Sequence, residues 1–387
     1  MFFTACTLTE NRINQKHSKS SFVQPSVKIQ VQFSSLSSKQ HKKTLPDLPP
    51  KNYLNLWDEI GDKSSLSFGN LEDYQTEIDY YKKNNSHLKR VSKRAEPYLH
   101  YILQEVKNRK MPYEIALLPI IESAFLPFAK SSAKAKGLWQ IMPRTGDMLG
   151  LKRSEWYEGR QDIQKSTNAA LNYLEKLYKQ NNQDWLLALA SYNSGYGNVL
   201  KARKKFLEEN PDGYIDYWSI RKFLPQETQS YIPKLLAVSY IVENRDAYDI
   251  KLEPIKNSAF FAVINLKKAV DMYKVAKKTH TNLALIKNLN SGFLKSVTPP
   301  IGNYNLLLPI EKSFLFEDEL ERNPTFFDVA WTKKYIVQNG DSLSVIAEMH
   351  NTSTKKIKKI NHLKNNNIRI GKELLIPVKN FEELKNG

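Results

Sequence analysis

The chain has a single cysteine among its 387 residues, so no internal disulfide framework can staple it and folded parts must be held by burial. It also lacks any run of about 18 apolar residues, the length a membrane-crossing helix requires, so membrane attachment would have to be covalent or peripheral. No cluster of His and Cys offers a ligand set, so neither a metal nor any other cofactor is expected. Acidic residues are the minority, 40 against 58 Lys+Arg, and the net charge of +18 favours polyanionic partners such as nucleic acid, anionic lipid or an anionic wall polymer. Charge alone does not choose among these, and the bland reading of a basic surface is solubility. What is present is an apolar content of 41% over a length that suits two or three domains.

Residues 1–51 are rich in Ser, Gln and Lys and read as a tail and spacer that cannot bury enough surface to fold alone. The one cysteine lies there, in Phe3-Thr4-Ala5-Cys6, which resembles the end of a bacterial lipoprotein signal. Only five residues precede it, without the charged and apolar regions of a signal, so two readings stand. Either the true start lies upstream and Cys6 carries a lipid anchor, or Cys6 is an ordinary tail cysteine.

Residues 52–250 turn helical. Ala170, Leu171, Leu174, Leu177 and Tyr178 share one face of a segment that Ser166 or Thr167 would N-cap. A second helix opens at Asp184, runs apolar on every side through Trp185-Leu186-Leu187-Ala188-Leu189-Ala190, and ends near Gly195, which suits a left-handed cap. Beyond residue 250 short β-prone runs bracket short helices, twice. Ile286-Lys287-Asn288-Leu289-Asn290 with Leu307-Leu308-Pro309-Ile310 matches Ile357-Lys358-Lys359-Ile360-Asn361 with Leu375-Ile376-Pro377-Val378.

The second unit, residues 334–379, resembles a LysM module in its strand, Gly-Asp turn, two helices and closing strand. The resemblance implies binding of N-acetylglucosamine-containing chains beside Gly340, Asp341 and Ser342. The first unit, residues 255–312, lacks the Gly-Asp turn and reads as a degenerate, LysM-like spacer. A small packing domain without ligand is the alternative for the second unit, and the Lys355 to Lys364 run reads as its solvated face, which argues against a nucleic-acid partner.

Chemistry points to Leu117-Leu118-Pro119-Ile120-Ile121-Glu122-Ser123-Ala124-Phe125. A carboxylate in so apolar a segment is disfavoured in its charged form, which raises its pKa and makes a general acid. The competing reading is that Glu122 points to solvent at the end of a short helix. Asp147, Asp162 and Glu227 sit among more polar neighbours.

Downstream lie Ser131, Gly137-Leu138-Trp139-Gln140-Ile141-Met142-Pro143, Gly159-Arg160-Gln161-Asp162, Ser191-Tyr192-Asn193-Ser194-Gly195-Tyr196-Gly197 and Glu227-Thr228-Gln229-Ser230-Tyr231. With Glu122 and Ser123, these resemble in order and spacing the lytic transglycosylases of the goose-type-lysozyme-like superfamily, in their membrane-bound, LysM-bearing branch. The resemblance implies a mainly α, lysozyme-like catalytic domain (core about 95–250) followed by small α/β LysM modules of βααβ order. It implies Glu122 as acid/base, with Ser123, Ser131, Gln140, Met142, Tyr192, Asn193 and Tyr231 at the substrate; Met142 and Tyr192 are also readable as ordinary core. Ser191 departs from the usual Ala.

The implied reaction is cleavage of the β-1,4 bond between N-acetylmuramic acid and N-acetylglucosamine, closing a 1,6-anhydro ring without water. The implied partner is the peptidoglycan glycan strand, and the implied place is the periplasm of the bacterial cell envelope. The alternatives are a lysozyme-like hydrolase, which would commonly need two carboxylates, and a non-catalytic wall-binding adaptor.

Overall fold

The computed structural model describes residues 51–66 and 69–378. The tail with Cys6 lies outside the described residues. Among those described, no helix is long and apolar enough to cross a membrane.

Asn55 opens the helical part. Its side-chain oxygen accepts from the backbone of Trp57 to cap α1 (Leu56–Lys63) and also from Ile255 N at 3.1 Å, so one amide joins the first helix to the segment that follows the last. Between these ends run α2 (Gln75–Lys83), α3 (Asn85–Ala95), α4 (Leu99–Asn108), a 3-10 turn at Tyr113–Leu117 that leads into α5 (Leu118–Ser123), α6 (Pro143–Met148), α7 (Ile163–Gln180), α8 (Trp185–Ser194), α9 (Tyr196–Glu209), α10 (Tyr217–Ile220) and α11 (Gln226–Asn244). α8 is buried continuously from Leu186 to Ser191, as its unbroken apolar run requires, and α11 packs against α1, α2, α5 and α8.

Two local expectations are corrected. α7 starts at Ile163, not after Ser166 or Thr167, because the Asp162 carboxylate accepts Lys165 N at 2.7 Å and caps the helix a turn earlier. Ser166 and Thr167 are then buried inside it, and the Thr167 hydroxyl accepts from Trp139 Nε1 at 3.0 Å. Gly195 does end α8 with a positive φ of 88°, but its ψ of 139° is extended rather than left-handed helical, since the chain must turn straight into α9.

The C-terminal region repeats one plan. β1 (Phe261–Leu266), α12 (Met272–Thr279), α13 (Leu283–Leu289) and β2 (Tyr304–Pro309) are followed by α14 (Ile310–Arg322). Then come β3 (Thr332–Ile336), α15 (Leu343–Met349), α16 (Thr354–Ile360) and β4 (Glu373–Pro377). Both strand pairs are antiparallel, with Phe261 opposite Pro309 and Thr332 opposite Pro377. In each unit one asparagine staples the closing strand: Asn290 donates to Leu307 O and accepts from Leu307 N, both at 2.8 Å, and Asn361 does the same with Leu375, both at 2.7 Å.

The units differ in what they touch. The second encloses its own small core of Val337, Leu343, Ile346, Ile357, Leu374 and Ile376. The first shares Phe261, Leu289 and Leu307 with the helical core, while its other face packs on α14 and Tyr157 through Leu266, Val275, Phe316 and Phe327. Backbone bonds join it to the loop before α7, from Glu158 N to Gly292 O at 2.8 Å and from Leu294 N to Trp156 O at 2.9 Å, and the buried Ser291 hydroxyl donates to Gln161 O at 2.6 Å.

Candidate active site

Glu122 sits at the end of α5, where the chain reverses through two consecutive left-handed residues, Ala124 (φ 50°) and Phe125 (φ 53°). Neither is glycine, so the turn is strained, and it persists because Phe125 is fully buried against Tyr98 and its N–H reaches Pro119 O at 3.0 Å. The turn leaves the Glu122 carboxyl half-buried rather than solvated. Its Oε1 accepts the Tyr231 hydroxyl at 2.5 Å. Burial pushes the Glu122 pKa up to about 7, against the opposing Tyr231 hydrogen bond and with help from the Glu227 charge.

The wall beside Glu122 is the loop from Ala129 to Met142. Gly137 is obligatory there: its φ is 82°, and a Cβ would lie 2.1 Å from Arg160 O. The Ser123 hydroxyl donates to Leu138 O at 2.9 Å, the Tyr192 hydroxyl to Trp139 O at 2.9 Å, and Arg160 Nη1 to Lys134 O at 2.9 Å and Ile141 O at 3.2 Å. Arg160 is itself held by Glu158, with Nη2 to Oε2 at 2.8 Å, and Lys136 joins the same carboxylate at 3.0 Å. Burial alone would raise the Glu158 pKa, but these two cations hold it at about 2.

The expected residues thus divide. Tyr231 and Tyr192 surround Glu122, and the pKa of each phenol is raised, first by burial and then by the Glu122 charge, so both remain donors. Asn193 accepts the Thr228 hydroxyl on Oδ1 at 2.8 Å, which turns its amide nitrogen toward Glu227 Oε1 at 3.4 Å. Met142 exposes its side chain at the mouth of α6. Gln140, with φ 44°, folds its amide back to Gly137 O at 2.9 Å, and the Ser131 hydroxyl accepts Ala135 N at 3.0 Å, so both shape the loop. Ser123 is buried, and its hydroxyl donates to main-chain carbonyls, which ties α5 to the loop. Ser191 faces the core and accepts Asn181 Nδ2 at 3.1 Å, which gives the departure from Ala a partner.

Embedded carboxylates that sequence reasoning passed over include Glu114, Glu158 and Asp162. Glu114 is buried and accepts the backbone N–H groups of Ser65 and Leu66; Asp162, expected among polar neighbours, is pushed up by burial while it caps α7 and accepts the Tyr157 hydroxyl at 2.8 Å. Each has a cation or backbone N–H as partner. Glu122 has a phenol.

In the second C-terminal unit, Gly340 takes φ 88°, Asp341 accepts Gln338 N at 2.7 Å and the Tyr335 hydroxyl at 2.8 Å, and Ser342 caps α15 through Val345 N. The three build the turn, with Gly340 and Ser342 exposed.

Comparison with known proteins agrees with this layout. The transglycosylase SLT domain family matches residues 101–214, the LysM domain residues 335–377, and the LysM-like domain of lytic transglycosylase MltD residues 260–324. Membrane-bound lytic murein transglycosylase D of Escherichia coli (strain K12) is 36% identical over 335 residues, 83% of this chain and 72% of that one. Membrane-bound lytic murein transglycosylase F of Yersinia pestis is 31% identical over 153 residues, 36% of this chain and 30% of that one. Among solved structures, the soluble lytic transglycosylase of Escherichia coli aligns over 44% of this chain and 30% of its own, at 22% identity and a TM-score of 0.33. With an acid buried beside two phenols, an SLT domain around it and LysM units behind it, the chain belongs to the lytic murein transglycosylases.

Proposed function

We propose that this enzyme cleaves the β-1,4 bond between N-acetylmuramic acid and N-acetylglucosamine in peptidoglycan, with Glu122 as both acid and base. The observation that carries the reading is the state of Glu122. A pKa of about 7 keeps a substantial protonated fraction at neutral pH, and because Tyr231 occupies Oε1, the proton is left to Oε2. Glu122 protonates the glycosidic oxygen; the resulting carboxylate then takes the proton of the muramoyl C6 hydroxyl as that oxygen attacks C1 and closes the 1,6-anhydro ring. Tyr231 donates toward the negative charge that appears between the two steps, while the Tyr192 hydroxyl stays on Trp139 O and holds the loop beside it. Asn193, its amide held by Thr228, and Met142 contact the sugars.

The second C-terminal unit holds the enzyme on glycan beside Gly340, Asp341 and Ser342, while the first acts as a brace. In that first unit the corresponding turn is covered by its own chain: Val270 N donates to Thr298 Oγ1 at 2.9 Å, and Met272 N to Ser296 O at 3.0 Å. The place of action is the periplasm of the cell envelope, with attachment to the membrane if Cys6 carries a lipid.

Mass spectrometry of digests in isotopic water tests the reaction. Muropeptides ending in 1,6-anhydro-muramoyl residues, lighter by one water and inert to borohydride, are expected. Reducible, labelled products would make the enzyme a hydrolase, and no products at all an adaptor.

A further inference from the structure

α11 carries three residues of the site in its first two turns, Glu227, Thr228 and Tyr231, and then a proline at position 233 inside the helix. Proline has no N–H, so the carbonyl four residues earlier, that of Gln229, loses its helical donor. That carbonyl is not left bare. The Tyr217 hydroxyl donates to it at 2.9 Å and Arg221 Nε at 2.8 Å, both from the short segment just ahead of α11. Tyr217 is fully buried and reaches Thr228 O as well, at 3.2 Å, while Asp216 and Ser219 lock its helix α10 in a reciprocal cap. Gln229 closes the arrangement from the other side by donating its amide to Leu224 O at 2.8 Å.

The missing bond falls between two parts of α11 with different tasks. Beyond it, Leu235 to Val242 are buried in the helical core. Before it, Thr228 orients Asn193 and Tyr231 grips Glu122. A helix that lacks this one bond bends more easily at that point, and a small bend of its first two turns changes the bond to Glu122.

We propose that the Gln229 carbonyl, freed by Pro233, is the handle by which Tyr217 and Arg221 aim the active-site half of α11, which makes Tyr217 and Arg221 positioning residues for Tyr231 and Thr228. Neither touches substrate in this assignment. The proposal rests on the reading of Glu122 as the acid, and turnover that survives Glu122→Gln overturns that reading independently of this one.

The test is steady-state digestion of purified peptidoglycan across pH by the full chain. Tyr217→Phe removes only the hydroxyl, and Arg221→Met keeps the stem but removes the donor. Each is expected to lower kcat by roughly tenfold, with KM changed by less than about twofold, since displaced catalytic groups cost rate rather than binding. Each also moves the alkaline limb of the profile upward in pH, because the Tyr231 bond that opposes the raised Glu122 pKa is weakened. Pro233→Ala supplies the missing N–H, so in that background Tyr217→Phe costs less than about threefold. Variants that lose thermal stability while keeping kcat and the limb in place, or equal losses with and without Pro233, would overturn the proposal.

Discussion

Replacing Glu122 with Gln tests more than catalysis. Gln keeps the shape and still accepts from Tyr231, but it has no charge to desolvate. In the wild type the folded state holds its proton to about pH 7 while an unfolded glutamate releases it near 4.5, so stability falls as pH rises through that window. At 1.36 kcal/mol per pH unit, the cost of the charge approaches about 3 kcal/mol by pH 8 and is negligible at pH 4. The variant is therefore expected to match the wild type at pH 4 and exceed it by about 3 kcal/mol at pH 8, a Tm gain of roughly 6–12 °C. Its turnover is expected to fall by at least about two orders of magnitude at every pH. Thermal denaturation of both proteins at pH 4, 6 and 8 reads the first expectation, and peptidoglycan digestion the second. A Tm difference that is constant with pH would refute the reasoning, for it would mean that burial does not hold the Glu122 proton.

Other expectations are read with the same assays. Tyr231→Phe removes the hydrogen bond that favours the Glu122 carboxylate, so the alkaline limb of kcat is expected to shift upward in pH and kcat to fall by about tenfold or more. Gly137→Ala places a methyl on Arg160 O at an unfavourable φ, and denaturant titration is expected to show a loss of about 3 kcal/mol or more. Asn290→Ala leaves Leu307 N and O unpaired in a buried setting, so it should cost more than Asn361→Ala, by about 1 kcal/mol or more, because the second staple is open to water. Removing residues 333–387 is expected to weaken retention on insoluble peptidoglycan and leave cleavage of short soluble fragments largely intact; equal loss of both would make that unit part of the catalytic fold.

The legible parts of the sequence were those governed by local rules. Asp184 caps α8 as its position suggests, accepting Leu187 N at 2.9 Å, and the repeat was visible because both units need the same asparagine staple at the same step. Glu122 stood out because its neighbours are apolar. Glu114 did not, although it is the more deeply buried, since its partners at Ser65 and Leu66 come from a segment about fifty residues away. The same limit hid the Arg160–Glu158 pair. Its sequence is an ordinary polar loop, and only folding places it under the carbonyls of Lys134 and Ile141. Ser123 shows a related limit: a serine beside an embedded carboxylate looks available, and only the fold brings up the loop whose Leu138 carbonyl accepts its hydroxyl.

The contrast among the buried carboxylates explains why Glu122 suits the acid/base role proposed for it. Glu158, bonded to two cations and held near a pKa of about 2, can accept a proton only in strong acid and never donates one at neutral pH. A mechanism with a single carboxylate asks one group to begin protonated, release its proton, and then take another, so its two forms must lie close in free energy. A phenol serves that demand better than a cation: it stabilises the carboxylate enough to offset part of the desolvation, yet its bond to Oε1 survives when the acid is neutral. The left-handed turn at Ala124 and Phe125 and the shared anchoring of the Leu138 and Trp139 carbonyls fix the loop and helix end that flank Glu122. A lysine placed within reach of Glu122 would stabilise the folded chain at neutral pH and, by lowering that pKa, remove the proton on which the proposed first step depends.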